Sequence, residues 1–238
     1  MASVIRLYVD HPLGLGQSVP LSREQSHYLF GVMRRGVGEV LELFNGRDGE
    51  WLARVVQAGK RNAILLCESK SKPMMLPPDL WMMFAPIKKA RTDFIVEKAT
   101  EMGAAQILPV QTDFTNSERI RQDRLQNHAL EAAEQCGGTY VPPVMELQKL
   151  SKLLDGWDDR HIMFCDENRV GEAVALSQQP GPWAILIGPE GGFSPAERER
   201  LEAMPQAQGV SLGPRILRAD TAAVAALALW QTSLGDWQ

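Results

Sequence analysis

Trp183-Ala-Ile-Leu186-Ile187-Gly188-Pro189-Glu190-Gly191-Gly192-Phe193-Ser194-Pro195-Ala196-Glu197 is the stretch whose reading decides the fold. Five apolar residues in a row, without alternation, read as a strand buried on both faces. They run straight into three glycines and a proline, a loop whose backbone can approach a ligand closely. Ser194 as cap, Pro195 at the first helical position and Glu197 three residues after the cap then open a helix. On the C-terminal side the motif recurs. A strand over 209–212 leads into Leu212-Gly213-Pro214-Arg215-Ile216-Leu217-Arg218-Ala219-Asp220, and a helix follows over 221–230. On the N-terminal side a strand over 161–165 ends in Phe164-Cys165-Asp166, with a short helix expected near 171–176. Upstream come a strand over 80–85, a helix over 91–102 stopped by Gly103, a strand over 105–110 and a helix over 121–136 ended by Gly137-Gly138. Strands alternating with helices mean a parallel sheet covered on both faces. In such sheets ligands bind beyond the carboxyl ends of the strands, which makes the loops after Cys165, Ile187 and Leu212 the candidate site.

The first 72 residues have a different grammar. Strands over 5–9, 39–44, 51–56 and 63–68 surround one helix, opened by the capping box Ser22-Arg-Glu-Gln25 and expected to end at Gly36. This is a small β-rich unit, a short barrel with one helix. Three prolines within 73–79 form a linker, so the expected domains are 1–72 and 80–238. The net charge of −4 is unevenly spread: residues 1–72 hold ten Lys/Arg against seven Asp/Glu, and the remainder fifteen against twenty-two. A uniformly basic nucleic-acid coat is excluded, whereas phosphate contact by a few placed cations is not.

Other classes fall away on residue chemistry. The apolar run Ala222–Trp230 is nine residues where a membrane span needs about 20, and the N-terminus lacks the apolar stretch of a signal peptide; a soluble, cytoplasmic chain is expected. Cys67, Cys136 and Cys165 are odd in number and unpaired in spacing, and His11, His27, His128 and His161 show no ligand spacing, so neither disulfides nor a metal site is expected. Gly209-Val-Ser211-Leu-Gly213 matches a nucleophile elbow, but no histidine follows His161 and Ser211 falls within a predicted strand; the match reads as chance. The helix over 222–230 is apolar all round, which calls for burial on every side and makes a subunit interface its natural partner.

Together, Leu186-Ile-Gly188-Pro-Glu-Gly-Gly-Phe193, Leu212-Gly-Pro-Arg-Ile-Leu-Arg218, Arg91-Thr-Asp-Phe-Ile-Val-Glu97-Lys-Ala-Thr-Glu-Met-Gly103 and Glu131-Ala-Ala-Glu-Gln-Cys-Gly137 closely resemble the bacterial 16S ribosomal RNA uracil-N3 methyltransferases, the RsmE family of the SPOUT superfamily. His27-Tyr-Leu-Phe-Gly-Val-Met-Arg34 and Phe44-Asn-Gly46 resemble that family's PUA-like RNA-binding domain. The resemblance implies a C-terminal parallel sheet whose chain forms a trefoil knot, a homodimer paired around it, S-adenosylmethionine as cofactor and 16S rRNA of the small subunit as substrate. Carried over by position, the cofactor loops are Phe164-Cys165-Asp166, Gly188 to Gly191 and Leu212 to Leu217, with Phe164, Cys165, Leu186, Gly188, Pro189, Glu190, Gly191, Leu212, Gly213, Ile216 and Leu217 as the expected cofactor residues. The family usually reads Arg-Thr-Glu-Thr where this chain has Arg218-Ala219-Asp220-Thr221, a carboxylate shorter by one methylene.

Methylating uracil N3 removes an imide proton, so charge develops on the uracil oxygens. Arg218 suits stabilisation of that charge; Asp220 is expected to act as helix N-cap and orienter of Arg218, or else as proton acceptor. Arg6, His27, Arg34 and Arg35 of the basic segment, with Lys88, Lys89 and Arg91 at the domain junction, are the expected RNA grip. His27 and the two arginines are expected along one helix. A SPOUT enzyme acting on another RNA such as tRNA, and a non-catalytic RNA-binding ribosome-assembly protein, are the competing readings.

Overall fold

The computed structural model describes residues 4–116, 119–157, 159–169, 171, 176–177 and 179–237. The chain divides into two compact units, Met1–Leu76 with Ala133–Val141, and Pro77–Ala132 with Pro142–Gln238. The segment Ala133–Val141 belongs with the N-terminal strands, although a linear reading leaves it in the second domain.

The first unit is a curled five-stranded sheet in the order β1-β3-β4-β5-β2, built from β1 (Arg6–Tyr8), β2 (Ser18–Pro20), β3 (Val40–Phe44), β4 (Glu50–Gln57) and β5 (Ile64–Lys72). Alternating Leu41/Leu43, Ala53/Val55 and Leu65/Cys67 point one face inward onto Leu7, Val19 and Leu29, as period-2 patterning requires. Helix α1 (Arg23–His27) has the predicted capping box: Ser22 Oγ accepts from Gln25 N–H, and the Gln25 side chain accepts from Ser22 N–H. It does not reach Gly36. A π-helical turn over Tyr28–Val32 follows, and Arg34 takes the left-handed conformation (φ 54°) that ends the helical path, so Arg34 and Arg35 lie beyond the helix that carries His27. Strand β2 escapes sequence reading because it is three residues long and contains proline.

Arg6 binds this unit together from within. Its Nε donates to Glu50 Oε2 at 2.6 Å, and its other nitrogens donate to the carbonyls of Ala133, Glu134 and Gly138 at 2.7–2.9 Å. Ala133 and Glu134 are orphan acceptors in the last turn of α3 (Gln122–Cys136) and Gly138 follows it, so a cation also meets the negative pole of the helix. The guanidinium lies 4.5 Å from the Phe44 ring centroid. Burial alone would raise the Glu50 carboxyl, but hydrogen bonds from Arg6, Ser71 and Lys72 and the Arg6 charge outweigh it and hold the carboxyl below its ordinary range. With all three of its nitrogens engaged inside the fold, Arg6 leaves the set of expected RNA contacts.

The second unit is a six-stranded sheet in the order β11-β9-β10-β6-β7-β8, with parallel pairing throughout. Its strands are β6 (Leu80–Phe84), β7 (Gln106–Gln111), β8 (Gln148–Lys149), β9 (His161–Cys165), β10 (Trp183–Ile187) and β11 (Ala207–Val210). Every residue of β10 is buried, which is why it reads as an unbroken apolar run. Helices α2 (Lys89–Glu101), α4 (Leu150–Asp155), α5 (Pro195–Ala203) and α6 (Ala219–Leu234) complete the unit with the first three turns of α3. Strand β8 and helix α4, six residues or fewer each, were not anticipated. The helix expected at 171–176 falls largely on 172–175, outside the described residues; a 3-10 turn, Glu167–Arg169, precedes it.

Two expectations change. Strand β11 stops at Val210, so Ser211 and Leu212 lie in the loop, where Ser211 Oγ accepts from Gly213 N–H at 3.3 Å. Ser211 is buried, turn-forming and remote from any nucleophile role. Helix α6 is not covered all round: Ala222, Ala223, Ala226, Leu227, Trp230 and Gln231 are buried, while Val224, Ala225, Ala228 and Leu229 on the opposite side are only half-buried.

Candidate active site

A cleft of about 310 Å³ lies beyond the carboxyl ends of β9, β10 and β11, where an open α/β sheet places its ligands. The expected Cys165, Gly188, Pro189, Glu190, Leu212, Gly213, Ile216 and Leu217 all line it, with Arg218. Three expected cofactor residues do not. Phe164 and Leu186 are fully buried beneath the cleft, Phe164 edge-on to Phe193 at 6.3 Å, and Gly191 turns toward Phe114 instead. Period-2 alternation explains the first two: each is one residue from the strand end and points into the core.

Asp166 and Arg215, expected within the loops after β9 and β11, line the cleft too, and the residues missed are Glu167, Ile187, Gly192, Val210, Ala219 and Ala222. Several adjoin residues already chosen, so a signal existed in the strand ends and the start of α6. Glu167 had none, since a short polar loop shows no periodicity. Asp166 is buried, 3.0 Å from Arg198 Nε, and accepts from the Asn168 backbone. Arg198 also donates to the Phe193 carbonyl at 3.1 Å, which ties the loop after β9 to the loop after β10. Ser194 and Glu197 form the predicted capping box of α5, and Ser194 Oγ donates to Asp113.

Glycine is needed at two places in the cleft wall. Gly192 has φ +68° with Glu167 Oε1 2.8 Å from where a Cβ would stand, and Gly213 has φ +105° beside open space. Gly188 differs from expectation: an added Cβ would press on the Phe193 ring at 3.2 Å, so its bareness serves loop packing. Burial pushes the Cys165 thiol up to about 12, so it is a neutral wall of the cleft.

Charge is sorted sharply around the opening. Arg91, expected to grip RNA, reaches from α2 to two carboxylates: Nη1 donates to Glu190 Oε1 at 3.1 Å, and Nε lies 3.7 Å from Asp220 Oδ2. Asp220 is the second residue of α6, not its cap, and does not line the cleft. It therefore faces Arg91 rather than orienting Arg218, because the cap position is taken by Arg218 itself. Arg215 and Arg218 are exposed at the mouth and have no ion pair among the described residues, with Ile216 71% exposed between them. Lys88 and Lys89 sit exposed at the N-terminus of α2, against the helix dipole. In the first unit His27 and Arg34 are exposed, whereas Arg35 pairs with Glu39 at 3.1 Å.

The walls suit S-adenosylmethionine. Ile187, Val210, Leu217, Ala219 and Ala222 offer apolar surface to a base, and the loops offer backbone polar groups. Glu167, with no ion pair among the described residues, is a carboxylate for hydroxyl or ammonium groups. No group of metal-ligating side chains occurs among the described residues.

A parallel sheet with a glycine-lined cleft at its strand ends and free guanidiniums at the mouth defines a class, and comparison agrees: an RNA methyltransferase domain model matches residues 74–231 and an RNA methyltransferase PUA domain model matches residues 21–66. The chain belongs to the RNA methyltransferase family, in its ribosomal RNA small subunit methyltransferase E branch. The protein of that name from Synechocystis sp. is 30% identical over 94% of this chain and 76% of its own length. The one from Rickettsia conorii is 29% identical over 94% of this chain and 93% of its own. A crystal structure of ribosomal RNA small subunit methyltransferase E from Neisseria gonorrhoeae bound to S-adenosyl methionine superposes with TM-score 0.88, at 28% identity, over 99% of this chain and 100% of that one.

Proposed function

We propose that the protein methylates N3 of a uridine in 16S rRNA of the small ribosomal subunit, using S-adenosylmethionine held in the cleft after β9, β10 and β11. The observation that carries this reading is the pair of guanidiniums, Arg215 and Arg218, without an ion pair among the described residues, at the mouth of a cleft walled largely by backbone and apolar side chains. S-adenosylmethionine, when bound, supplies an electrophilic methyl group. The chain's own part is placement and charge. The cleft orients the two reactants, which can supply much of the barrier reduction. Arg218 stabilises the negative charge that grows on a uracil oxygen as the imide proton passes to water at the open mouth. Arg91 holds the Glu190 loop against the start of α6 through Glu190 and Asp220, making Asp220 a positioning residue.

Because N3 lies on the pairing edge, the target base is unpaired or turned out of its helix, and the RNA is gripped by backbone and shape. Of the expected residues, Lys88, Lys89, Arg34 and the His27 imidazole remain exposed for that grip. The chain works as a cytoplasmic homodimer through the open side of α6, with the knotted C-terminal threading that the family resemblance implies. No helix among the described residues is long and apolar enough to cross a membrane.

Mass spectrometry of small-subunit RNA from cells lacking the protein, with and without its return, tests the reading. The expected result is loss and restoration of one N3-methyluridine. An unchanged 16S rRNA with a methyl lost from tRNA would transfer the activity to the other RNA class.

A further inference from the structure

The ten lysines and arginines of residues 1–76 divide by partner. Arg6, Arg35, Arg47, Arg54 and Lys72 are each ion-paired to a carboxylate, and Lys70 lies over the Trp51 ring. Of the remaining four, Arg23, Lys60 and Arg61 line a single concavity of about 500 Å³ together with His27 and Glu24. The fold brings them there. Strand β2 pairs antiparallel with β5, ending at Pro20 opposite Ile64, and Leu21 N–H donates to the Ala63 carbonyl at 3.0 Å. The start of α1 and the turn between β4 and β5 therefore leave the same end of the sheet. Arg23 and His27, four apart, share a face of α1. Gly59 closes the turn tightly, since a Cβ there would stand 2.5 Å from the Asn62 carbonyl, and Lys60 and Arg61 follow on its exposed side. Glu24 is engaged by Ser22 Oγ at 3.1 Å. Three permanent cations thus face one carboxylate, with no other acidic side chain among the described residues lining the concavity to neutralise them.

We propose that this concavity is an RNA-phosphate clamp, in which Lys60 and Arg61 from the β4–β5 turn and Arg23 and His27 from α1 hold the sugar–phosphate backbone independently of base identity. It rests on the reading of the protein as an rRNA methyltransferase and gives the first unit's RNA contact a defined place, adding Arg23, Lys60 and Arg61 to His27. Phosphate is the matching ligand because guanidinium and ammonium groups with unfilled donors are what a phosphodiester satisfies.

The test uses the full-length chain, a fluorescein-labelled single-stranded RNA of mixed sequence, and the variants Lys60→Ala/Arg61→Ala and Lys60→Glu/Arg61→Glu, whose exposed positions leave the melting temperature unchanged. Binding is measured across a salt series. When two phosphates are no longer neutralised, the slope of log K against log salt is expected to become shallower by about 1.4, with affinity for S-adenosylmethionine unaltered and the Glu variant weaker than the Ala variant. Wild-type slope and affinity in both variants would overturn the clamp while leaving rRNA methylation intact. A chain that methylates no rRNA but loses RNA affinity in these variants would overturn the functional reading and keep the clamp. Binding to phosphatidylglycerol vesicles but not to RNA, abolished by the same changes, would overturn the assignment to RNA.

Discussion

Arg218 caps the start of α6 by its backbone alone and leaves its guanidinium in solvent at the cleft mouth. Asp220, two residues on, turns to Arg91 and away from the cleft. The two residues are close in sequence but separated in chemistry. Arg218→Ala is expected to lower the single-turnover methyl-transfer rate by about 10²-fold, the scale of an oxyanion donor, with affinity for S-adenosylmethionine within about twofold by calorimetry. Asp220→Asn keeps an oxygen near Arg91 and is expected to cost less than about tenfold. Equal losses for both at unchanged melting temperature would make Asp220 the proton acceptor. Arg218 was legible as a chemical candidate because a cation in a strand-to-helix loop is visible in one dimension. The partner of Asp220 was not, because Arg91 lies more than a hundred residues earlier and meets it only through the crossover of the sheet. Arg6 shows the same limit more severely: its charge was legible, but its three carbonyl acceptors sit at the end of α3.

At the scale of elements, one guanidinium joins the end of α3 to the buried Glu50. Arg6→Ala leaves the fully buried Glu50 with only Ser71 and Lys72 as donors and takes a donor from the carbonyls of Ala133, Glu134 and Gly138, and is expected to destabilise the first unit by about 3 kcal/mol in denaturant unfolding. The pH dependence follows from the depressed Glu50 carboxyl. A group whose pKa is lower folded than unfolded stabilises fully above its unfolded value and loses that contribution as pH falls through its folded one. Thermal melts should therefore fall in the acid range below about pH 4.5, the ordinary glutamate value, and Glu50→Gln should fall less steeply there from a lower plateau. A Gln variant with the wild-type acid slope would remove Glu50 as the cause. In the cleft, the Gly188 loop is expected to respond through packing. Gly188→Ala pushes on the Phe193 ring, so it should lower both melting temperature and cofactor affinity. Combining it with Phe193→Leu should cost less than the sum of the two changes; strict additivity would mean that Gly188 faces the ligand. Strand ends, glycine turns and capping boxes were readable because each is a local pattern. The short elements β2, β8 and α4 were not, because tertiary pairing alone holds segments of that length.

For the molecule as a whole, α6 connects the cleft to the proposed dimer interface. The run of apolar residues over 222–230 promised burial on all sides, and a single chain delivers it on one. The buried face packs on the sheet and places Gln231 to donate to the Met102 carbonyl at 2.6 Å. The other face carries Thr221, Val224, Ala225, Ala228, Leu229 and Thr232, the two threonines exposed and the four apolar residues half-buried. Small side chains there would let a second copy approach closely, and its apolar surface would complete the burial that the composition requires. The wild-type chain is therefore expected to sediment as a dimer at micromolar concentration. Ala228→Arg, which puts a long charged side chain on the open face without touching the core, should yield a folded monomer of unchanged far-ultraviolet circular dichroism. Function should follow, because the first turns of the same helix supply Ala219 and Ala222 to the cleft wall. A monomer released from its partner leaves that helix braced on one side only, so the variant should also lose affinity for S-adenosylmethionine. A wild-type monomer in sedimentation would return the open face to ordinary surface. A monomeric Ala228→Arg variant with full cofactor affinity would keep the dimer but show that the cleft is complete within one chain.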